Sequence, residues 1–181
     1  MNKLQLIVPT RHVDNRGFFA EIYTRKKYIE IGIHDEFVQD NHSLSKHAGT
    51  LRGLHFQAPP FAQAKLVRCG KGAIFDVVVD IRKGSPNYGN WKGYHLTEKN
   101  GHQIYIPIGF AHGFVTLEEN SEIVYKCSNY YNQKKELSIV WNDPDINIKW
   151  PLNTQPIIGK KDKHAPLLRE LNSPFIYKEN S

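Results

Sequence analysis

Gly49-Thr50-Leu51-Arg52-Gly53-Leu54-His55-Phe56-Gln57 and, about fifty residues on, Gly101-His102-Gln103-Ile104-Tyr105-Ile106-Pro107-Ile108-Gly109-Phe110-Ala111-His112 set the architecture of this chain. Positions 51–57, 103–106 and 112–117 read as strands, short runs rich in branched and aromatic residues bounded by turn residues. The same signal recurs at 4–8, 18–23, 37–43, 65–69, 73–82, 91–96, 122–128 and 137–141. Turn chemistry separates these runs: Asp14-Asn15-Arg16-Gly17, Ala58-Pro59-Pro60, Gly84-Ser85-Pro86-Asn87 and Asn100-Gly101. Many short strands at even spacing specify an all-β barrel or sandwich. Two short helices are expected, at 24–31 and from Asp162 to about Leu171. Asp143-Pro144-Asp145 and Trp150-Pro151 mark the passage from a barrel core at about 37–142 to a C-terminal extension at about 143–181. With no internal repeat or linker, the 181 residues read as one domain.

Strand alternation groups the polar side chains. His55 and Gln57 share a face, as do Lys65, Val67 and Cys69; Asp76, Val78 and Asp80; His112, Phe114 and Thr116; and Ile123, Tyr125 and Cys127. Turning His55, Lys65, Asp76, His112 and Tyr125 inward together is costly unless they pair or line a solvated pocket, so the pattern points to a site. Strict alternation puts Arg52 on the face opposite His55. A bulge at Gly53 would bring both to one side, or Arg52 would serve the site of a partner subunit.

Composition narrows the function. A hydrophobic share of 40% with 12% aromatics marks a globular chain. The net charge of +6 suggests anionic partners, but the basic residues are scattered and form no nucleic-acid patch. Small phosphorylated molecules fit that scatter better. Cys69 and Cys127 form no CxxC pair and read as free thiols filling core positions. No secretory leader is recognisable, and no apolar run approaches the ~20 residues of a membrane span. The expectation is a soluble, cytoplasmic protein.

The two opening stretches resemble the paired signatures of the cupins, with part of the metal site replaced. The first keeps Gly49-x5-His55-x-Gln57, and the second keeps Gly101-x5-Pro107-x-Gly109-x2-His112. A metal-binding cupin carries two histidines and an acidic residue in the first and a histidine in the second. Here Gln57 stands for the second histidine, and the acidic position falls near Phe61 or Ala62. Two imidazoles and an amide are a poor transition-metal set. The expectation is a cupin jelly-roll barrel with short N- and C-terminal helical extensions, no metal, and His55 as an acid or base.

A wider resemblance runs over nearly the whole chain. It is carried by Asp14-x-Arg16-Gly17-x-Phe19-x-Glu21, Phe37-x-Gln39-Asp40-Asn41-x-Ser43-x-Ser45, Leu51-Arg52-Gly53-Leu54-His55-Phe56-Gln57 and Gln63-x-Lys65-Leu66-Val67. It continues in Phe75-Asp76-Val77-x-Val79-Asp80-Ile81-Arg82, Gly84-Ser85-Pro86, Ile106-Pro107-x-Gly109-Phe110-Ala111-His112-Gly113-Phe114 and Tyr125-x-Cys127-x3-Tyr131, closing on Trp141-Asn142-Asp143-Pro144, Trp150-Pro151 and Lys161-Asp162. Together these resemble the dTDP-4-dehydrorhamnose 3,5-epimerase family of nucleotide-sugar epimerases. The resemblance implies a nucleotide-diphosphate 4-keto sugar as substrate. It also implies inversion at C3 and C5 through an enolate, no cofactor, and a homodimer in which an N-terminal segment of one subunit joins the other's sheet.

By the same resemblance, His55 is the base, Asp162 the carboxylate that orients it, Tyr125 the acid on the opposite face, and Lys65 the cation near O4. Asp76 and His112 support them, pairing with Lys65 or holding the pocket's hydrogen bonds. Arg16, Phe19, Glu21, Gln39, Asn41, Arg52, Tyr131 and Lys161 bind the substrate, Arg16 and Arg52 at the pyrophosphate, where a guanidinium can fork two oxygens. Each residue also has a plainer reading: a core histidine, a helix N-cap at Asp162, a core tyrosine, a solvent-facing lysine. The chain departs from the family at Gly159-Lys160-Lys161-Asp162, where Ser-Glu-Lys-Asp is common. Inversion of a single centre, a GDP-linked keto heptose as substrate, a metal cupin using His55, Gln57 and His112, and a non-catalytic sugar-binding cupin remain open at this stage. Retention of His55 and Tyr125 argues against simple loss of proton transfer.

Overall fold

A computed structural model describes residues 4–179. Thirteen strands and two short α-helices follow in the order β1 (Gln5–Ile7), β2 (Arg11–Asp14), β3 (Gly17–Ala20), α1 (Arg25–Glu30), β4 (Gln39–Ser45), β5 (Thr50–Gln57), β6 (Lys65–Lys71), β7 (Ala73–Asp80), β8 (Trp91–Thr97), β9 (Gln103–Ile106), β10 (Phe110–Thr116), β11 (Ser121–Cys127), β12 (Glu136–Ser138), β13 (Ile157–Ile158) and α2 (Lys160–Lys163). One sheet runs β1-β9-β6-β11-β4; the other runs β12-β5-β10-β7-β8, with β13 lying parallel to the start of β5. The two face each other as a jelly-roll barrel, as the cupin resemblance implied where strand spacing left barrel or sandwich open.

Alternation along these strands makes three apolar layers. Between the sheets lie Val67, Cys69, Ile74, Val78, Leu96, Ile104, Phe110, Phe114 and Ile123. Outside the six-stranded sheet, Leu51, Leu54, Phe56, Phe75, Val77, Val79 and Val115 pack against Ile139, Ile146, Ile148, Leu168 and Phe175 of the C-terminal extension. Outside the other sheet, Leu66 and Tyr105 pack on Tyr28 of α1 and on Ile33. Asp143 ties the extension down: its carboxylate accepts the backbone N–H groups of Asp145, Ile146 and Leu168.

β5 carries the irregularity that matters for function. Leu51 and Leu54 both pack in the outer layer although they are three residues apart, which requires one extra residue between them. The β5–β10 register shows it, with His112 opposite His55 but Phe114 opposite Arg52. The bulge therefore sits at Gly53 and turns Arg52 to the side of His55. Gly53 takes φ 129°, and a Cβ there would lie 2.5 Å from the Cα of Gly113, so both positions need glycine.

Three sequence expectations change. The helix expected from Asp162 to Leu171 is one turn at Lys160–Lys163 followed by a separate 3-10 turn at Leu168–Glu170. Pro166 lies between them and cannot continue a helix. Asp162 is not a helix cap; Gly159 holds that position. Strands β2 and β13 went unforeseen, one in a polar run and the other only two residues long.

Candidate active site

At one end of the barrel the sheets part around a cleft of about 210 Å³. The six-stranded sheet supplies His55, Gln57 and Glu136, and the five-stranded sheet supplies Gln39, Asn41, Lys65, Tyr125 and Cys127. His55 and Tyr125 thus face the same space from opposite walls. Cross-strand register packs the second wall closely: Tyr125 lies beside Asn41, and Cys127 lies between Lys65 and Gln39.

Asp162, carried in by α2, is buried under His55. Its Oδ1 lies 2.6 Å from His55 Nε2, and its Oδ2 accepts the backbone N–H of Gly53 at 3.0 Å. Burial would raise this carboxyl, but the His55 and Gly53 hydrogen bonds outweigh burial and hold it below the usual carboxylate range. The carboxylate is thus fixed by two bonds, and ring nitrogen Nδ1 of His55 is left for proton exchange. Such a pair can take a proton and stabilise the imidazolium that results.

Across the cleft, burial raises the Tyr125 phenol, with the Arg52 guanidinium acting the other way. The hydroxyl therefore stays protonated near neutrality, as a donor must. Burial lowers the half-buried Lys65 ammonium, opposed by Cys127 and by the carboxylates of Asp76 and Glu136. Asp76 is fully buried and bonds His112 Nε2 at 2.7 Å through Oδ2, while Oδ1 has no partner among the described residues. Asp76 and His112 bond each other rather than a residue of the cleft lining, which includes neither, and Asp76 bears on the cleft through the effect of its charge on Lys65.

Of the three donors in the metal-cupin reading, His55 and Gln57 line the cleft and His112 does not. Each histidine gives Nε2 to a carboxylate, and Gln57 Oε1 accepts the backbone N–H of Asn132 at 3.1 Å. Among the described residues no group of three or more His, Cys, Asp or Glu side chains is arranged to hold a metal ion.

Of the expected substrate-binding residues, Gln39, Asn41 and Tyr131 line the cleft. Arg52 reaches Ser45 Oγ and Leu44 O nearby, and Lys161 pairs with Glu136 at the rim. Arg16, Phe19 and Glu21 do not line it. Arg16 and Phe19 lie on the β2–β3 hairpin and Glu21 just beyond; Arg16 pairs with Asp14, Glu21 with Lys27, and Phe19 is 69% exposed. Glu136 was missed by the sequence reading. It accepts from Tyr131 and Lys161, and these outweigh its burial to keep it ionised. In Lys134-Lys135-Glu136-Leu137 it looks like any surface charge, and only the pairing of β12 with β5 carries it inward.

Residues 1–170 match a sequence model of the family described as dTDP-4-dehydrorhamnose 3,5-epimerase. The chain belongs to this epimerase family. A dTDP-4-dehydrorhamnose 3,5-epimerase of Salmonella typhimurium is 52% identical over 164 residues, covering 90% of this chain and 89% of the relative. One from Sinorhizobium fredii is 47% identical over 179 residues, covering 97% and 90%. The crystal structure of the Legionella pneumophila dTDP-6-deoxy-D-glucose-3,5-epimerase, in complex with dTDP-4-keto-L-rhamnose, superposes with a TM-score of 0.94 at 44% identity over 98% of this chain and 95% of that one. The region matching the epimerase family contains both walls of the cleft and α2, so every residue of the site lies inside it. Among the described residues, no helix of this epimerase is long and apolar enough to cross a membrane.

Proposed function

We propose that the cleft epimerises a dTDP-linked 4-keto-6-deoxyhexose at C3 and C5, with no metal or redox cofactor. The observation that carries this reading is the Asp162–His55 pair facing Tyr125 across a cleft that also holds Lys65. Both carbons flank the C4 ketone, so loss of a proton from either gives an enolate. His55 Nδ1 takes the proton, and Asp162 stabilises the imidazolium. Lys65 stabilises the charge growing on O4; one preorganised donor of this kind is typically worth ~2.7–4 kcal/mol. Tyr125 returns a proton from the other wall, which inverts the centre. Its phenolate forms in the field of Arg52, and solvent reprotonates it before the next turnover.

Arg52 and Lys161 supply positive charge for the diphosphate at the mouth, and Gln39, Asn41 and Tyr131 supply polar and aromatic contacts. The cleft of about 210 Å³ suits the sugar, with the nucleotide lying outside it. Arg16, Phe19 and Glu21 act from a second copy in a homodimer, which accounts for a hairpin that carries them away from their own chain's cleft. The unpaired cysteines Cys69 and Cys127 fit a reducing compartment, and the cytoplasm is the proposed location.

Turnover in deuterated buffer tests the reaction. Wild type should place deuterium at two substrate carbons. His55→Ala should lose about 10²–10⁴-fold in turnover, the usual worth of a general base. Tyr125→Phe should still exchange the proton that His55 removes while forming little inverted product. Undiminished turnover in His55→Ala would sink the mechanism.

A further inference from the structure

Gln57 stands where a metal-binding cupin would place a histidine, and the mechanism above gives it no task. Its side chain is 5% exposed and lines the cleft beside His55. Oε1 accepts the N–H of Asn132 at 3.1 Å, and a backbone N–H can only donate, so the orientation of the amide is fixed. Nε2 must then point away from Asn132. No described residue accepts from it, and it is not among the sealed, unpartnered buried atoms, so it opens on the cleft. Open to the cleft, this donor is left to water until a ligand oxygen takes its place.

The loop that Gln57 holds is itself part of the site. Gln39 Oε1 accepts the N–H of Tyr131 at 2.9 Å, and Gln63 Nε2 donates to Asn129 O at 2.7 Å. Three glutamines reaching out from the barrel thus pin residues 129–132 over the mouth. Gln57 differs from the other two. Gln39 gives one N–H of its Nε2 to Asn41 and Gln63 gives one to the loop, whereas neither N–H of Gln57 Nε2 has an acceptor among the described residues.

We propose that Gln57 is a substrate-contacting specificity residue, whose Oε1 fixes the 129–132 loop while its Nε2 donates to a keto or hydroxyl oxygen of the bound sugar. The second half rests on the epimerase reading. Cleft-facing residues two apart on a strand are separated by about 7 Å, so Gln57 addresses a different ring atom from the one His55 deprotonates. A donor in this place accepts an oxygen substituent and discriminates against its absence, because a missing oxygen leaves the amide unpaired. Sugar recognition and loop order then share one side chain, while the nucleotide half of the substrate does not use it.

Two variants separate the two halves. Gln57→Met keeps the shape and removes both bonds; Gln57→Glu keeps an acceptor for Asn132 and offers no N–H. In Gln57→Met, kcat/KM for dTDP-4-keto-6-deoxyglucose should fall about 10-fold, the scale of one lost neutral hydrogen bond. Affinity for dTDP should change little, and amide exchange at Tyr131 and Asn132, measured without ligand, should quicken. In Gln57→Glu the amides should stay protected while kcat/KM still falls. Wild-type kcat/KM in Gln57→Glu would overturn the donor role, and unchanged exchange in Gln57→Met would overturn the clamp. Failure of the epimerase reading shows separately, as a wild-type protein that neither binds dTDP nor turns over the keto sugar, while the exchange arm still reads the clamp.

Discussion

Asp162 is the residue in which chemistry and stability are most tightly joined. Its carboxylate fixes one nitrogen of His55 and one backbone N–H of the bulge. Asp162→Asn keeps the size and removes the charge that the imidazolium needs, so turnover should drop by roughly 10²–10⁴-fold, as for a general base that can no longer work. The acid stability should change too. In the folded state the carboxyl is held below its ordinary 3.8. A depressed pKa contributes stability that is complete above the unfolded value and is lost as pH falls through the folded one. Below about pH 4 wild type should therefore lose melting temperature more steeply than Asp162→Asn, and thermal melts between pH 5 and 2 would compare the two slopes. Parallel curves would mean that the His55–Asp162 contact does not operate in solution.

Within single elements, β5 shows how a backbone defect serves the site. The extra residue at Gly53 swings Arg52 to the His55 side and frees an N–H for Asp162. The bulge closes on Gly113, where an added Cβ would meet Arg52 O at 2.8 Å. Gly113→Ala should cost about 1–3 kcal/mol by overpacking, read by urea denaturation, and should lower turnover as well, because Arg52 and the Asp162 anchor move with the bulge. Asp143→Ala should cost more than a surface change. Each buried N–H it leaves unpaired is worth about 1–3 kcal/mol, and the segment after α2 would loosen. β5 also marks what was legible in sequence. Alternation alone exposed the conflict between Arg52 and His55, and of the two resolutions it left open, a bulge at Gly53 or service to a partner's site, the β5–β10 register shows the bulge. Alternation put Lys65 and Tyr125 on strand faces with apolar neighbours and His55 on a face with Gln57, which pointed to a site, while their separate roles came from the family resemblance. The segment after Asp162 was misread as one helix because Pro166 was given too little weight. Glu136 was not legible at all, since its place depends on which strand its short edge segment joins.

On the scale of the molecule, the outer face of the five-stranded sheet and the hairpin beside it expose apolar side chains that one chain leaves uncovered. Val13 is 76% exposed, Phe18 59% and Phe19 69%, with Leu44 on the edge strand at 47%. A second copy related by a two-fold axis would cover both surfaces with the same surfaces of its partner. It would also carry Arg16, Phe19 and Glu21 to a cleft they do not reach in their own chain. This arrangement makes a quantitative prediction about mixtures. His55→Ala has a sound hairpin and a dead cleft; Arg16→Ala has a sound cleft and a damaged hairpin. Unfolded together in equal amounts and refolded, half of the dimers would be mixed. If hairpins serve the partner's cleft, each mixed dimer has one complete site of two, and about a quarter of wild-type activity should return. If each hairpin serves its own cleft, no complete site forms in any combination, and the mixture should be no more active than its parents. Sedimentation of the same samples would show whether the active species has twice the mass of the chain.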